Sequence, residues 1–399
     1  MFFIDVLPYN KNNYAERNWR AVEKMENIIV RETEYKILSG SSGYFRVEGP
    51  KGIGIMDING ELSVGPRWND AYFSPEDGRV QAFIRKRWVN WATPQYVFDL
   101  LDTEGNVIHQ EECGECIGVR EGIAVAKNYS GIYCLRKSRI YPKIFSKSGN
   151  MDRDTDYNAL FHDGRLRVRD FKGNWYYVDR EGNEVSKKFI EARDYHCELA
   201  VVAIKWPVAG KLYGVLSLDG KYMMWPAYVE IRDYKNYRAR AKKKGKYGYL
   251  DTNGNLCVPA VWDIAEDFDS DGLAFVRKEY PASANLIDRK GVQVLQLPME
   301  CTLARSFSED LLPAKDGNGW GFIDRQGGWA ISPQYLDVGD FSQGVAPVKT
   351  GDTWCFIDRE GKEVMAIDGE MKIVGKGLAY TEHAIYNYGY QMPKGRRWE

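Results

Sequence analysis

Short apolar runs alternate with polar turns along most of the chain. Nine times, two adjacent apolar residues stand directly before a turn: Ile55/Met56, Leu100/Leu101, Ile144/Phe145, Tyr177/Val178, Val215/Leu216, Tyr249/Leu250, Leu286/Ile287, Phe322/Ile323 and Phe356/Ile357. Neighbouring residues of a strand face opposite sides, so each pair predicts an inner strand covered on both faces. The turns begin at Asp57, Asp102, Ser146, Asp179, Ser217, Asp251, Asp288, Asp324 and Asp358, spaced 33 to 45 residues apart, and each has Gly three residues on. A period in that range marks stacked supersecondary units. The clearest runs from Asn318 to Thr350: a strand Trp320 to Ile323, a turn Asp324 to Gly327, a strand ending in Pro333-Gln334-Tyr335, an acidic connection, and a closing strand Gly344 to Lys349. The chain is therefore predicted to be all-β, a tandem array of about nine to ten short antiparallel meander units.

These units resemble the bacterial WG-repeat (KWG-repeat) family, whose signature is an aromatic-Gly-Phe-Ile-Asp run, a turn Gly and then Pro-x-Tyr. Trp320-Gly321-Phe322-Ile323-Asp324, Tyr247-Gly248-Tyr249-Leu250-Asp251 and Tyr213-Gly214-Val215-Leu216 carry the first part, and Pro333-Gln334-Tyr335 and Pro259-Ala260-Val261-Trp262 the second. The units at Ser146 and Asp288 depart from it, with Pro142-Lys143 and Ala284-Asn285 in place of the aromatic and Gly. The resemblance spans roughly residues 28 to 390. It implies a β-repeat interaction module and supplies no catalytic residues.

Three segments follow: a cap over residues 1–27, the array over 28–390 and a tail over 391–399. Trp19, Val22 and Met25 at spacing three, with Glu16 and Arg20 at spacing four, predict a short capping helix. Ile28 to Val47 read as the second half of a unit lacking its first half, and Gly377 to Tyr390 as a first half lacking its second. Ten blades would exceed the usual four to eight, which favours an open superhelical array. The alternative is a closed propeller-like ring whose two ends share a blade.

Lys plus Arg number 55 against 56 Asp plus Glu, a formal charge of −1, so no global field draws the chain to nucleic acid or lipid. The first residues lack a secretory pattern and no long apolar run occurs, an expectation of a cytoplasmic protein. Seven scattered cysteines read as reduced core residues.

The recurring turn Asp invites an acid/base reading. Yet Asp opening a turn accepts a local backbone N–H, Gly three residues on supplies positive φ, and Ser is suited to the same position, so a structural role is expected. Gly54, Gly214, Gly248 and Gly321 stand two before the last apolar residue, where a missing side chain admits a neighbour's ring or backbone. His109, Cys113 and Cys116, with His162, His196 or Cys197, resemble part of a zinc site, but a second Cys-x-x-Cys is absent. No metal or other cofactor is expected. Nucleophile and phosphate-loop motifs are missing and His totals four, so a non-catalytic protein is expected.

Charge placement is the remaining signal. Connections before the aromatic strand are basic, including Arg85-Lys86-Arg87, Lys205 with Lys211, and Arg238, Arg240, Lys242, Lys243, Lys244 and Lys246. Connections before the closing strand are acidic, including Glu191 with Asp194, Glu266-Asp267 and Asp337 with Asp340. In register, these predict one positive and one negative edge. Trp88 and Trp91, and Trp206, stand beside cations in segments read as long loops, the composition of an interface hot spot. The expected function is a protein-protein interaction scaffold whose loop edges grip an acidic protein surface. Nucleic acid or another anionic polymer on the basic edge is the alternative, and carbohydrate binding a third.

Overall fold

A computed structural model describes residues 28–391, apart from 75–78, 91–92, 102–105, 114, 122, 129–130, 137–138, 141–159, 171, 208–209 and 280–281. The predicted capping helix lies outside the described residues, as does all of the tail after Gln391. Two compact units divide the chain, one of residues 1–87, 97–111 and 334–399, the other of 88–96 and 112–333. Every described element is a strand, and the strands form nine four-stranded sheets and one two-stranded sheet, none closed into a barrel.

Within a complete sheet the strands pair in sequence order. One sheet runs Leu303–Ala304, Leu312–Lys315, Trp320–Ile323 and Trp329–Tyr335, and its neighbour in the second unit runs Ile264–Ala265, Leu273–Arg277, Ala284–Asp288 and Gln293–Gln296. The sheet frame is therefore offset from the sequence repeat. The closing strand Ala346–Thr350 pairs with the aromatic strand that follows it, Thr353–Ile357, and not with the one before. This offset explains the unlike halves at the two ends. Strand Ile29–Glu32 pairs with Ala384–Asn387 and completes a sheet with Lys372–Gly375 and Leu378–Tyr380. Thr33 and Ile37 also donate to the carbonyls of His383 and Glu382 at 2.8 Å.

Among the described residues, the strand before each signature turn carries core residues, because its alternate side chains serve neighbours on opposite sides. Leu250 packs with Val201, Tyr213 and Val215 of the preceding sheet, whereas Tyr249 packs with Phe268, Val276 and Ile287 of the following one. Ile287 and Leu286 divide the same way, and so do Val178 and Tyr177. Fully burying a side chain of this size contributes about 2 kcal/mol, so each strand is fixed from both faces.

The signature glycine follows from the fourth strand. That strand bulges where it passes the glycine, so the register slips between Tyr213 and Val215, Tyr247 and Tyr249, and Ile53 and Ile55. A β-carbon on Gly321 would lie 2.5 Å from the Ile331 carbonyl oxygen and 2.7 Å from the Pro333 nitrogen; Gly54, Gly214 and Gly248 meet equivalent backbone at 2.5 to 2.8 Å. Backbone, then, fills the expected space. Proline at 66, 226 and 333 suits the bulge because it needs no N–H donor there.

Candidate protein-binding surface

The turn carboxylates are committed to the backbone. Asp324 Oδ1 accepts from the N–H groups of Gln326 at 2.9 Å and Gly328 at 3.0 Å, and Asp57, Asp179, Asp251, Asp288 and Asp358 repeat the pattern. Gly327 adopts φ 88°. Asp102 and Ser146 lie outside the described residues. Ser217 differs from the expected acceptor role: its hydroxyl donates to Asp219 and to the Lys221 carbonyl, and Asp219 takes over the carboxylate's place. Hydrogen bonds from Lys221 and Ser217 hold the Asp219 carboxyl down to about 2.

Aromatic side chains of the signature are cradled by cations, which in turn meet acids. Arg167 lies 4.7 Å from the Trp175 ring, Lys211 5.1 Å from Tyr213, Lys242 4.8 Å from Tyr247, Arg305 4.2 Å from Trp320 and Lys349 5.9 Å from Trp354. Arg167 reaches Asp194 at 3.2 Å, Lys211 reaches Glu191 at 2.5 Å and Lys349 reaches Glu370 at 2.9 Å. Burial and hydrogen bonding finish the structural use of the tyrosines. The hydroxyls of Tyr195 and Tyr234 donate to the carbonyls of Ser217 and Asp251 at 2.8 and 2.9 Å, and burial holds both phenols far above their ordinary value.

This cradle redistributes the residues expected to form a basic edge. Arg240 turns inward to Glu266 at 3.4 Å and Asp267 at 3.9 Å, and Lys246 pairs with Asp263. Arg238 donates to the carbonyls of Arg289 and Tyr237 at 3.2 and 2.9 Å. Basic and acidic connections thus meet one another at these places and do not form separate edges there, because the sheet offset sets the acid of a first strand beside the cations of the second and third. Lys205, Trp206, Lys243 and Lys244 are exposed, as is Lys211 in its pair with Glu191, with Lys244 at φ 51° in the hairpin turn. Trp206 is 48% exposed. Neither tryptophan segment is a long loop. Lys205 and Trp206 close strand Leu199–Trp206, and Arg85, Lys86, Arg87 and Trp88 belong to the twelve-residue strand Arg79–Asn90, which Val80, Phe83, Ile84 and Val89 favour. Their side chains in that strand, and Trp91 altogether, fall outside the described residues.

His162 and His196 meet edge to face at 5.1 Å. Arg120 Nη1 stands 2.7 Å from His162 Nε2, so that nitrogen accepts the bond; burial is the main cause pushing the His162 pKa down, aided by the Arg120 and His196 charges. Among the described residues no group of three or more His, Cys, Asp and Glu side chains is arranged to hold a metal. His109, Cys113 and Cys116 have side chains outside the described residues. Burial pushes the Cys301 and Cys355 thiols up to about 11, which leaves them neutral and unreactive. In the first unit a cavity of about 730 Å³ opens beside the shared terminal sheet, lined by charges of both signs including Glu32, Asp368, Lys372 and the Lys36–Glu382 pair at 2.9 Å.

One surface escaped the sequence reading. Strand Tyr222–Tyr228 is the outer strand of its sheet, and Met223, Trp225, Ala227 and, just beyond, Val229 are exposed on it. Trp225 is 71% exposed and stacks on Tyr222 at 4.5 Å. Its counterparts at the same bulge are Gly65, Pro259 and Ser332, as the contacts of the four signature glycines establish. Comparing that one position across repeats is the signal that finds it.

The WG-containing repeat model matches residues 247–280 and 320–354. These two stretches are thus similar to WG-containing repeats, within a chain whose described elements are all strands. No curated protein matches it. Among solved structures, it is similar to a eukaryotic initiation factor, with a TM-score of 0.51 and 12% identity over 88% of this chain and 100% of that one. AztD from Citrobacter koseri gives a TM-score of 0.37 at 11% identity, over 88% of this chain and 98% of that one. BamB from Moraxella catarrhalis gives 0.36 at 11%, over 92% of this chain and 100% of that one. The first likeness is one of fold alone, and the other two are too distant to bear on function. No helix among the described residues is long and apolar enough to cross a membrane.

Proposed function

We propose that this chain is a non-catalytic scaffold that binds another protein, one with an acidic surface, in the cytoplasm. The observation that supports it most is the contrast in how polar and apolar side chains are used. Recurrent carboxylates are spent on turn N–H groups, while large apolar side chains stand in water, Trp206 next to Lys205 and Trp225 stacked on Tyr222. Exposed tryptophan next to cations is what a protein interface buries at its centre. The anionic-polymer alternative loses support from the pairing of Arg240, Lys246 and Lys211 with carboxylates, since cations already neutralised release few counterions on a polyanion.

Affinity capture with the intact chain, followed by mass spectrometry and binding measurements with the captured partner at two salt concentrations, tests this reading. A protein partner with a modest salt dependence is expected. Capture of nucleic acid with affinity falling steeply and linearly in log salt would overturn it.

A further inference from the structure

The outer strand Tyr222–Tyr228 is the edge of its sheet, which runs Glu191–Ala192, Leu199–Trp206, Gly210–Ser217 and Tyr222–Tyr228. An edge strand is a template for pairing with another chain, and proteins ordinarily blunt it with charge, proline or polar residues. Two of the other outer strands follow that practice at their outward positions. At the outward positions Gly65 and Arg67 stand in one, and Ser332 and Gln334 in another. This strand shares their proline, Pro226 at the bulge, but its same outward positions hold Trp225 and Ala227, with Met223 before them at 42% exposure. The indole is not loose: its plane lies within 26° of the Tyr222 ring, so little freedom remains to be lost on binding.

Charge then fixes one end of the occupant. Lys243 reaches over the Tyr228 ring at 6.0 Å, and Lys244 follows it in an exposed turn. Neither lysine has a carboxylate partner among the described residues, unlike Lys211 and Lys246. An apolar row that ends in two unpaired lysines complements an extended segment with alternating apolar residues and an acidic end.

We propose that strand Tyr222–Tyr228 is a docking site for such a peptide segment of a partner protein, added to the sheet as a further strand. Main-chain pairing supplies affinity in this mode and alternate side chains supply specificity. Trp225 is the anchor, and Lys243 with Lys244 sets the direction. This inference rests on the scaffold reading above and names its site.

The test is fluorescence anisotropy of two fluorescein-labelled synthetic peptides, each of four Thr-Val pairs with three Asp at either the N-terminal or the C-terminal end, titrated with the full chain. One of the two is expected to bind. Trp225→Ser should weaken it roughly tenfold or more, the scale of a hot-spot loss, with an unchanged melting temperature, since Ser occupies the matching site at 332. The double change Lys243→Glu and Lys244→Glu should weaken binding and flatten its salt dependence, and a peptide with central proline should not bind. Failure of both peptides to bind, or binding that Trp225→Ser leaves intact, would overturn the site. If the intact chain captures a protein partner equally well with and without Trp225→Ser, the site is wrong while the scaffold reading stands. Self-association that depends on Trp225 in sedimentation would instead make a second copy the occupant and overturn the peptide proposal.

Discussion

The outer strands Trp329–Tyr335 and Tyr222–Tyr228 share a backbone and differ in what they show to solvent. Both bulge past a signature glycine, both carry proline at the bulge, and both end in a buried tyrosine, Tyr335 and Tyr228. Outward, the first presents Ala330, Ser332 and Gln334, and the second Met223, Trp225 and Ala227. The inward half of the repeat is dictated by packing and cannot vary far. The outward half is free of that demand, so a large apolar departure there is informative about binding.

The largest effect on this comparison comes from removing the interior that both strands share. Burial raises the phenol pKa of Tyr195, Tyr234, Tyr249 and Tyr388. Because the folded state keeps these protons, its advantage is whole below the ordinary phenol value near pH 10 and is lost as pH rises beyond it. The last part of the tyrosinate absorbance, that of the buried rings, should appear together with loss of the circular dichroism signal; ionisation of every tyrosine with the β signal intact would contradict the packing described.

Next in size, Gly321→Val and Gly214→Val should each cost about 3 kcal/mol, because the added side chain meets fixed backbone and not a movable side chain. Equal losses in the two sheets are expected in chemical denaturation, since the demand is the same in both. Asp324→Ala should cost roughly 1 kcal/mol, the scale of a lost capping bond, and leave partner binding unaffected. A variant that lost binding at unchanged stability would give the turn Asp a functional role after all.

Much of this was legible in the sequence, and for definite reasons. Adjacent apolar residues such as Phe322 and Ile323 announce a strand buried on both faces, and Asp324 with Gly327 announces the turn, because both depend on neighbours a few residues away. Ion pairs were not legible. Glu191 and Lys211 sit on different strands of one sheet, joined by an offset that only the pairing reveals. Trp225 was hidden for another reason: an aromatic in a strand is ordinarily core, and only its exposure and the small residues at 65, 259 and 332 mark it as a departure.

The smallest structural effect carries the sharpest information. Ser332→Trp and Trp225→Ser should each change stability by less than about 0.5 kcal/mol, as surface substitutions do. Melting curves that overlay within that margin would confirm that the outward position is free of the core.

Hydrogen-exchange mass spectrometry of the intact chain, alone and saturated with its captured partner, tests the central claim most directly. Protection should appear across residues 222–229 on binding and be absent across 329–335, where the backbone is the same and the outward side chains are not. Protection at the hairpin of Lys205 to Lys211 with residues 222–229 unchanged would contradict it.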